Sequence, residues 1–449
     1  MKKYESYKDS GVEWIGEIPQ DWKVAPLKYA FAFSVGFTPP TNNSEFYDEN
    51  GEDWITISDL NSKYVSESKS KISRLAIEKH GKGKVPKGSL LYSFKLSVGK
   101  VAFAEKELFT NEAIFSIFPN PGLELNYYYY CLPAILIYNA NENIYGAKLF
   151  NQEIIKNSKL PVPPKIEQSQ IARFLDHHTS LIDELIEKKQ RLIQKLEEKR
   201  KSVINEAVTK GLNPSVRMKD SGIEWIGEIP EHWAIKRLRY LGKCQNGVSA
   251  GSEYFGEGDP FLSYSDVYKN ESLPDQILGL AKSSTSDKEN YSVLEGDIFF
   301  TRTSETVEEI GLSSVCLKTL PNAVFAGFLI RFRPNDPERE IHKSFSKFYF
   351  RSNVARYHLV KEMNLVTRAS LSQELLKSVP VLLPPYEEQV KIGDRLDSLT
   401  NSIDVTIRKI HSSIEKLKEF RQSLISEAVT GKIDTKYELQ KITKRKFNL

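Results

Sequence analysis

The sequence predicts an α+β protein built as a tandem repeat, in which two mixed α/β units are each followed by a long helix. Three observations predict it. Residues 8–29, KDSGVEWIGEIPQDWKVAPLKY, return at 219–240 as KDSGIEWIGEIPEHWAIKRLRY, with 14 of 22 positions identical. Behind each copy come short β-branched and aromatic runs bounded by Gly, Pro and Asn, the pattern of strands. Behind those, residues 166–210 and 394–430 contain neither proline nor glycine, and both carry sustained heptad spacing.

The repeat recurs further along. Pro163-Pro164-Lys165-Ile166-Glu167-Gln168 matches Pro384-Pro385-Tyr386-Glu387-Glu388-Gln389, and Glu206-Ala207-Val208-Thr209 matches Glu427-Ala428-Val429-Thr430. The offset is 211 at the front and 221 at these later markers, so the second copy holds ten extra residues between them. The ends of each unit agree and the middles diverge, as expected of one frame holding two differently specialised inserts.

Faint matches survive inside the inserts. Gly36-Phe37-Thr38 aligns with Gly247-Val248-Ser249, Ile57-Ser58-Asp59-Leu60 with Tyr264-Ser265-Asp266-Val267, and Lys87-Gly88-Ser89-Leu90-Leu91 with Glu295-Gly296-Asp297-Ile298-Phe299. Two apolar segments, 126–138 and 345–360, are expected to be helical.

The long stretches are expected to be helices. Stepping alternately four and three from Ile171 through Leu175, His178, Ile182, Leu185 and Leu192 to Lys210, seven of twelve positions are apolar; the series from Ile392 has eight of twelve. Heptad spacing of this length means a coiled-coil seam, and Leu181, Ile186 and Ile193 beside it widen the stripe toward bundle packing. Pro at each start, and Gly211 and Gly431 at the ends, punctuate both helices. Each spans roughly 65 Å at ~1.5 Å per residue. Charges on them balance, 9 basic against 8 acidic in 166–210 and 8 against 8 in 386–432, which suits a spacer better than a basic DNA-binding helix.

Composition excludes several classes. With 449 residues the chain holds two to four modules. No run of eighteen apolar residues occurs, and the first residues lack the apolar core of a signal peptide. Cys131, Cys244 and Cys316 form no Cys-x-x-Cys pair, which suits reduced thiols in the cytoplasm. Net charge is only +4, but it is polarised: residues 63–106 hold eleven Lys or Arg against three Glu, and 331–368 nine basic against four acidic. Clustered lysines suit phosphate contact, or equally a solvated surface. No phosphate-binding Gly-rich loop appears. His177 and His178 point different ways on a helix and make no metal pair, and Glu184 with Lys188 reads as an i,i+4 ion pair. Leu383-Pro384-Pro385-Tyr386 mimics an adenine-methyltransferase motif but has Leu383 where a polar side chain is needed.

The order insert, long helix, insert, long helix, with Pro-Pro-x-x-Glu-Gln opening each helix at Pro163 and Pro384, resembles the specificity subunits of Type I restriction–modification enzymes over nearly the whole chain. The doubled segments Trp14 to Pro19 and Trp225 to Pro230, with Trp22 and Trp233 behind them, belong to the same pattern. The resemblance implies two target recognition domains, 1–165 and 213–385, each reading half of a bipartite site in double-stranded DNA. It implies that the helices, 166–212 and 386–432, form an antiparallel coiled coil with pseudo-twofold symmetry, followed by a basic tail, 433–449. It also implies two methyltransferase subunits and two motor-nuclease subunits as partners. Those partners would bring the catalytic residues, S-adenosylmethionine, ATP and Mg, while this chain would hold no catalytic site, metal or cofactor.

Candidate DNA contacts on this reading are Lys95, Lys100, Tyr145 and Lys148 in the first insert, and Arg302, Thr303, Thr367 and Arg368 in the second. Arg is expected at guanine and polar side chains at adenine. Trp14, Trp22, Trp225 and Trp233 are expected to pack the inserts onto the helices rather than to touch partners. The competing classes are a free-standing tandem DNA-binding or architectural protein, which the near-neutral inserts disfavour, and an autonomous DNA methyltransferase, which the missing motifs disfavour.

Overall fold

In the computed structural model, which describes residues 2–95, 97–142, 148–304, 309–362 and 369–438, the chain divides into two units. One comprises Met1–Lys189 with Ser412–Leu449, the other Gln190–His411. Each long helix, Lys165–Lys210 and Tyr386–Val429, is therefore shared: its first half belongs to one unit and its second half to the other.

The first unit opens with an antiparallel pair, Tyr7–Asp9 with Glu17–Pro19. Strand Lys23–Pro26 then pairs with Lys159–Val162, the last strand before the long helix. Between them lies a five-stranded sheet in the order Phe33–Val35, Ile114–Ile117, Leu90–Ser93, Val101–Ala104, Tyr64–Val65. Its central strands are apolar on both sides because both faces are covered. Leu90 and Tyr92 join the core built on helix Leu125–Ile135, whereas Leu91 joins a second cluster with Ile55 and Leu60. A three-stranded sheet, Phe109–Thr110, Tyr47–Ile55 and Lys71–Ile72, completes the unit.

The second unit repeats this plan although its interior sequence has diverged. Met218–Asp220 pairs with Glu228–Pro230, and Ala234–Arg237 with Pro380–Leu383. The main sheet runs Gly242–Asn246, Leu329–Pro334, Ile298–Thr301, Ser313–Val315, and the smaller one Leu280–Ala281, Phe255–Leu262, Val324–Phe325. Where the first unit has the fifth strand, the second has a single parallel bridge, Ser272 to Val315. The helix expected over 126–138 is Leu125–Ile135 continued by a 3-10 turn, Leu136–Asn139. The one expected over 345–360 is broken into Lys343–Tyr349 and Asn353–Glu362. At the break the Arg351 guanidinium donates to the carbonyls of Ser313, Val267 and Asn270 at 2.5–2.8 Å.

The Pro-Pro-x-x-Glu-Gln motif has a mechanical role in both copies. The Pro164 carbonyl accepts from the amides of Glu167 and Gln168, and the Pro385 carbonyl from those of Glu388 and Gln389, which starts each helix. The glutamine side chain is buried and spends both ends of its amide. Gln168 donates to the Pro163 carbonyl at 2.8 Å and accepts from the Glu124 amide at 2.9 Å, at the mouth of helix Leu125–Ile135. Gln389 likewise donates to Pro384 and accepts from the His342 amide, ahead of Lys343–Tyr349. Each glutamine thus stitches a long helix to the globular part of its unit.

The tryptophans pack the frame, as the sequence suggested. Trp22 and Trp233 are fully buried, and each abuts the glycine that ends a long helix: Trp22 beside Gly431, Trp233 beside Gly211. Trp14 stacks on Tyr138 and Trp225 on Tyr357, both with ring centroids 5.4 Å apart.

One feature of the helices departs from expectation. Leu185 and Leu192, placed in the seam by the heptad count, are exposed, whereas Ile182 of the same series is buried as expected and Ile193, counted beside the seam, turns inward with it. Two neighbouring apolar columns run along this helix, and packing selected the isoleucine column. In the first unit Asp183 pairs with Arg421 at 2.9 Å; in the second, Asp404 pairs with Arg200 at 3.1 Å, and Arg200 also meets Glu271 at 2.8 Å. Glu184 and Lys188 form the expected i,i+4 pair.

Candidate nucleic-acid interface

Each unit has one edge where three segments converge, and most of the sequence-predicted DNA contacts that are described fall on it. In the first unit these are the turn between Leu90–Ser93 and Val101–Ala104, the 3-10 turn Ile57–Asp59, and the loop after Phe33–Val35. The buried Ser93 hydroxyl fixes the first: it donates to the Ser97 carbonyl at 2.6 Å and accepts from the Lys100 amide at 2.9 Å. Lys100 reaches the Ile57 carbonyl at 3.3 Å and the Asn61 side-chain oxygen at 3.2 Å. It is half-buried and holds the two turns together, which leaves its charge only partly available. Lys95 is exposed on the same turn.

The second unit builds the same edge with different side chains. Thr301 replaces Ser93 and accepts from the Leu312 amide at 3.0 Å. Ser263 and Asp266 form a capping box ahead of Tyr264–Lys269, as Thr56 and Asp59 do at the first edge. Arg302 and Thr303 follow Thr301, half-buried. Thr303 pairs through its backbone with Ser370. Among the described residues the Arg302 guanidinium has no hydrogen-bond or ion-pair partner. It lines an open cleft of about 660 Å³ together with Val248, Phe261, Tyr264 and Phe328.

The remaining candidates lie elsewhere in the chain or outside the described residues. Lys148 opens strand Lys148–Leu149, paired with Asn141–Glu142. Tyr145, Thr367 and Arg368 lie outside the described residues, as does the tail beyond residue 438.

The two basic stretches fare differently. In 63–106, Lys63, Lys84 and Lys106 are engaged by Asp176, Glu52 and Asp53, while Lys95 stays exposed. In 331–368 several of the described cations are internal. Arg331 donates to the Ser292 carbonyl at 2.6 Å, and burial, aided by Arg333, pulls its guanidinium down to about 10. Arg333 grips Asp297 through two contacts of 2.6 Å. These arginines serve the fold, so the excess of positive charge here is a poor guide to DNA.

The Tyr386 ring packs edge-on against His342, and its hydroxyl donates to the Pro337 carbonyl at 3.4 Å. The cysteines are free, and burial pushes the thiols of Cys131, Cys244 and Cys316 up to about 12, 11 and 12. Among the described residues no group of three or more His, Cys, Asp or Glu is placed to hold a metal, and no helix is long and apolar enough to cross a membrane.

Known proteins share this plan. The chain is 26% identical over 311 residues to the Type I restriction enzyme EcoKI specificity subunit of Escherichia coli (strain K12), spanning 67% of this chain and 63% of that protein. It is 25% identical over 440 residues to the MjaIX specificity subunit of Methanocaldococcus jannaschii, 93% of this chain and 95% of that one. A solved chain of a type I R-M system, studied for complex assembly and conformational transition, overlays with a TM-score of 0.70 at 15% identity, covering 93% of this chain and 99% of its own. The HsdS subunit from Thermoanaerobacter tengcongensis overlays at 0.54 and 16% identity, covering 93% and 98%. At those identities the overlays speak to fold alone. Residues 19–197 and 230–416 each match the Type I restriction modification DNA specificity domain, and the chain belongs to that family, with two copies of its domain in tandem.

Proposed function

We propose that this chain is the DNA-reading specificity subunit of a Type I restriction–modification enzyme. Its two recognition domains each read one half of a bipartite site in double-stranded DNA, and catalysis resides in partner subunits. The observation that carries this reading is the doubling itself: two family domains, alike in the order of four main-sheet strands, present different side chains at equivalent edges. A shared frame offers equivalent docking surfaces to two copies of one partner, and divergent edges read different bases.

On this reading the long helices run antiparallel as one coiled coil with pseudo-twofold symmetry. The ion pairs support it. Asp183 and Asp404 are equivalent in the repeat at its offset of 221, and so are Arg200 and Arg421, so each pair is the repeat equivalent of the other, as that symmetry requires. Two methyltransferase subunits dock on this frame with their S-adenosylmethionine, and two motor-nuclease subunits bring ATP and Mg chemistry. All of this belongs in the cytoplasm, where the DNA is. Lys95 and Lys148, with Tyr145, contact DNA in the first domain, and Arg302 and Thr303, with Thr367 and Arg368, in the second. Lys100 acts mainly by holding its turn in place.

The test is a domain exchange. Residues 30–150 are replaced by the corresponding segment of another family member, the chain is co-expressed with its methyltransferase subunit, and N6-methyladenine is mapped across the host genome. One half of the methylated motif changes and the other stays. A motif that changes in both halves, or a chain that fails to co-purify with the methyltransferase, refutes the reading.

A further inference from the structure

The two units hold one backbone contact in common and fill it with different side chains. In the first, the Phe94 amide donates to the Ala113 carbonyl at 3.0 Å; in the second, the Arg302 amide donates to the Phe328 carbonyl, also at 3.0 Å. The surrounding ladder agrees: Asn111 donates to Ile55 at 2.9 Å where Ala326 donates to Leu262 at 3.0 Å. Phe94 and Ala113 are buried, 2% and 5% exposed. Their counterparts Arg302 and Phe328 both face the open cleft, and Phe328 is 65% exposed.

Phe328 is exposed on a rigid support. Its neighbour Gly327 donates to the Val248 carbonyl at 2.7 Å, and Ala326 bridges Val248. A Cβ on Gly327 would stand 2.4 Å from the Ser249 hydroxyl and 2.9 Å from the Val248 carbonyl, so only glycine allows the approach. A phenyl ring held toward solvent by a fixed backbone gives folding nothing. It is arranged for recognition, because little ordering remains to be done on binding. Among the described residues the cleft lining carries no acidic side chain and one cation, Arg302, which suits an acceptor-rich, polyanionic partner.

We propose that Arg302 and Phe328 are specificity-determining residues of the second recognition domain. Arg302 donates to the O6 and N7 edge of a guanine, and Phe328 contacts the 5-methyl group of a neighbouring thymine in the major groove. Both are pairings that groove chemistry favours. The inference rests on the DNA-reading function proposed above and names the chemistry of one half-site. It also states why the halves differ: the first domain fills the same two positions with inward-facing Phe94 and Ala113.

The test uses the complex with its methyltransferase subunits and duplexes carrying the methylated motif. Single thymines are replaced by deoxyuridine, which removes only the methyl group, and single guanines by 7-deazaguanine, which removes only N7. In the half read by the second domain, one deoxyuridine weakens wild-type binding about 4-fold, the worth of one buried methyl. Phe328→Ala binds the two duplexes equally. One 7-deazaguanine weakens wild-type binding about tenfold or more, and Arg302→Ala is indifferent to it. Phe328 is exposed, so its truncation leaves the fold intact, which an unchanged melting curve verifies. A half-site without adjacent guanine and thymine overturns the inference. So does a Phe328→Ala variant that keeps the wild-type response to every deoxyuridine. In either case intact recognition of a bipartite motif leaves the proposed function standing, whereas a complex with no bipartite motif removes both.

Discussion

Gly211 and Gly431 end the two long helices with the same backbone, φ +73° in each, yet alanine at the two sites has unequal consequences. A Cβ in the left-handed region costs roughly 1–2 kcal/mol, and both variants pay it. The surroundings then separate them. At Gly211 the new Cβ meets a Glu388 carboxylate oxygen at 2.9 Å and the Trp233 ring at 3.3 Å. The carboxylate is the far end of a flexible side chain and rotates away, at the expense of its 2.7 Å contact with His232. At Gly431 the Cβ falls 2.3 Å from Pro19 Cδ and 2.6 Å from Cγ, with the Trp22 ring behind at 3.3 Å. Proline cannot rotate and Trp22 is fully buried, so overpacking adds about 1–3 kcal/mol. Gly211→Ala is therefore expected to destabilise its unit by about 1–2 kcal/mol and Gly431→Ala by about 2–5. Hydrogen exchange read by mass spectrometry on the core strands Ile114–Ile117 and Leu329–Pro334 reports the opening free energy of each unit separately. Equal costs, or a larger cost at Gly211, would show that packing at the helix ends has been misjudged.

Four further outcomes are expected. Gln168→Leu strands the Glu124 amide and the Pro163 carbonyl and costs about 2–6 kcal/mol, at ~1–3 for each group left without a partner; a loss below 1 kcal/mol in urea denaturation would mean that water replaces the side chain. Arg200→Met costs about 1.5–3 kcal/mol because two carboxylates lose one partly buried partner, whereas Arg421→Met, with one exposed partner, costs less than about 1; the reverse order in parallel melts would contradict the assignment. The purified chain alone transfers no methyl group from labelled S-adenosylmethionine to DNA, and activity that survives purification but vanishes in Tyr386→Phe would restore the methyltransferase alternative. Four residues inserted near Gln190 lengthen the helix by ~6 Å, so the methylated motif keeps both halves with a spacer one or two base pairs longer at ~3.4 Å each; an unchanged spacer with full activity refutes the helices as a ruler.

The frame was legible in the sequence because it is written twice. A repeat needs no propensity argument, and the markers Trp22, Trp233, Gln168 and Gln389 stand at corresponding structural positions. The seam was less legible for a physical reason. Leu181, Leu185 and Leu192 form one column with helical spacing, and Ile182, Ile186 and Ile193 form another one residue away. Periodicity is satisfied by both, and only the partner surface decides which is buried. Charge misled for a related reason. Arg331 and Arg333 lie two apart on strand Leu329–Pro334 and so project from the same face, where Ser292 and Asp297 receive them. A count of basic residues cannot tell a buried, satisfied guanidinium from one offered to phosphate.

The recognition edge shows where sequence comparison loses its grip and structure regains it. Phe94 gives way to Arg302 and Ala113 to Phe328, so side-chain type does not mark these positions as equivalent, although the faint match of Lys87–Leu91 with Glu295–Phe299 carried forward in register sets Phe94 opposite Arg302. The backbone bond between each pair is the same at 3.0 Å, because main-chain groups buried at a sheet edge need partners whatever side chains they carry. Divergence is therefore channelled: the ladder constrains the carbonyl and the amide, and leaves the side chains beyond them free to change. In the first unit that freedom yields a sealed pair, in the second a presented one. A frame under this constraint can acquire a new specificity by changing what projects from fixed positions. This explains how the interiors of two copies lost nearly all sequence identity while keeping the same strand order.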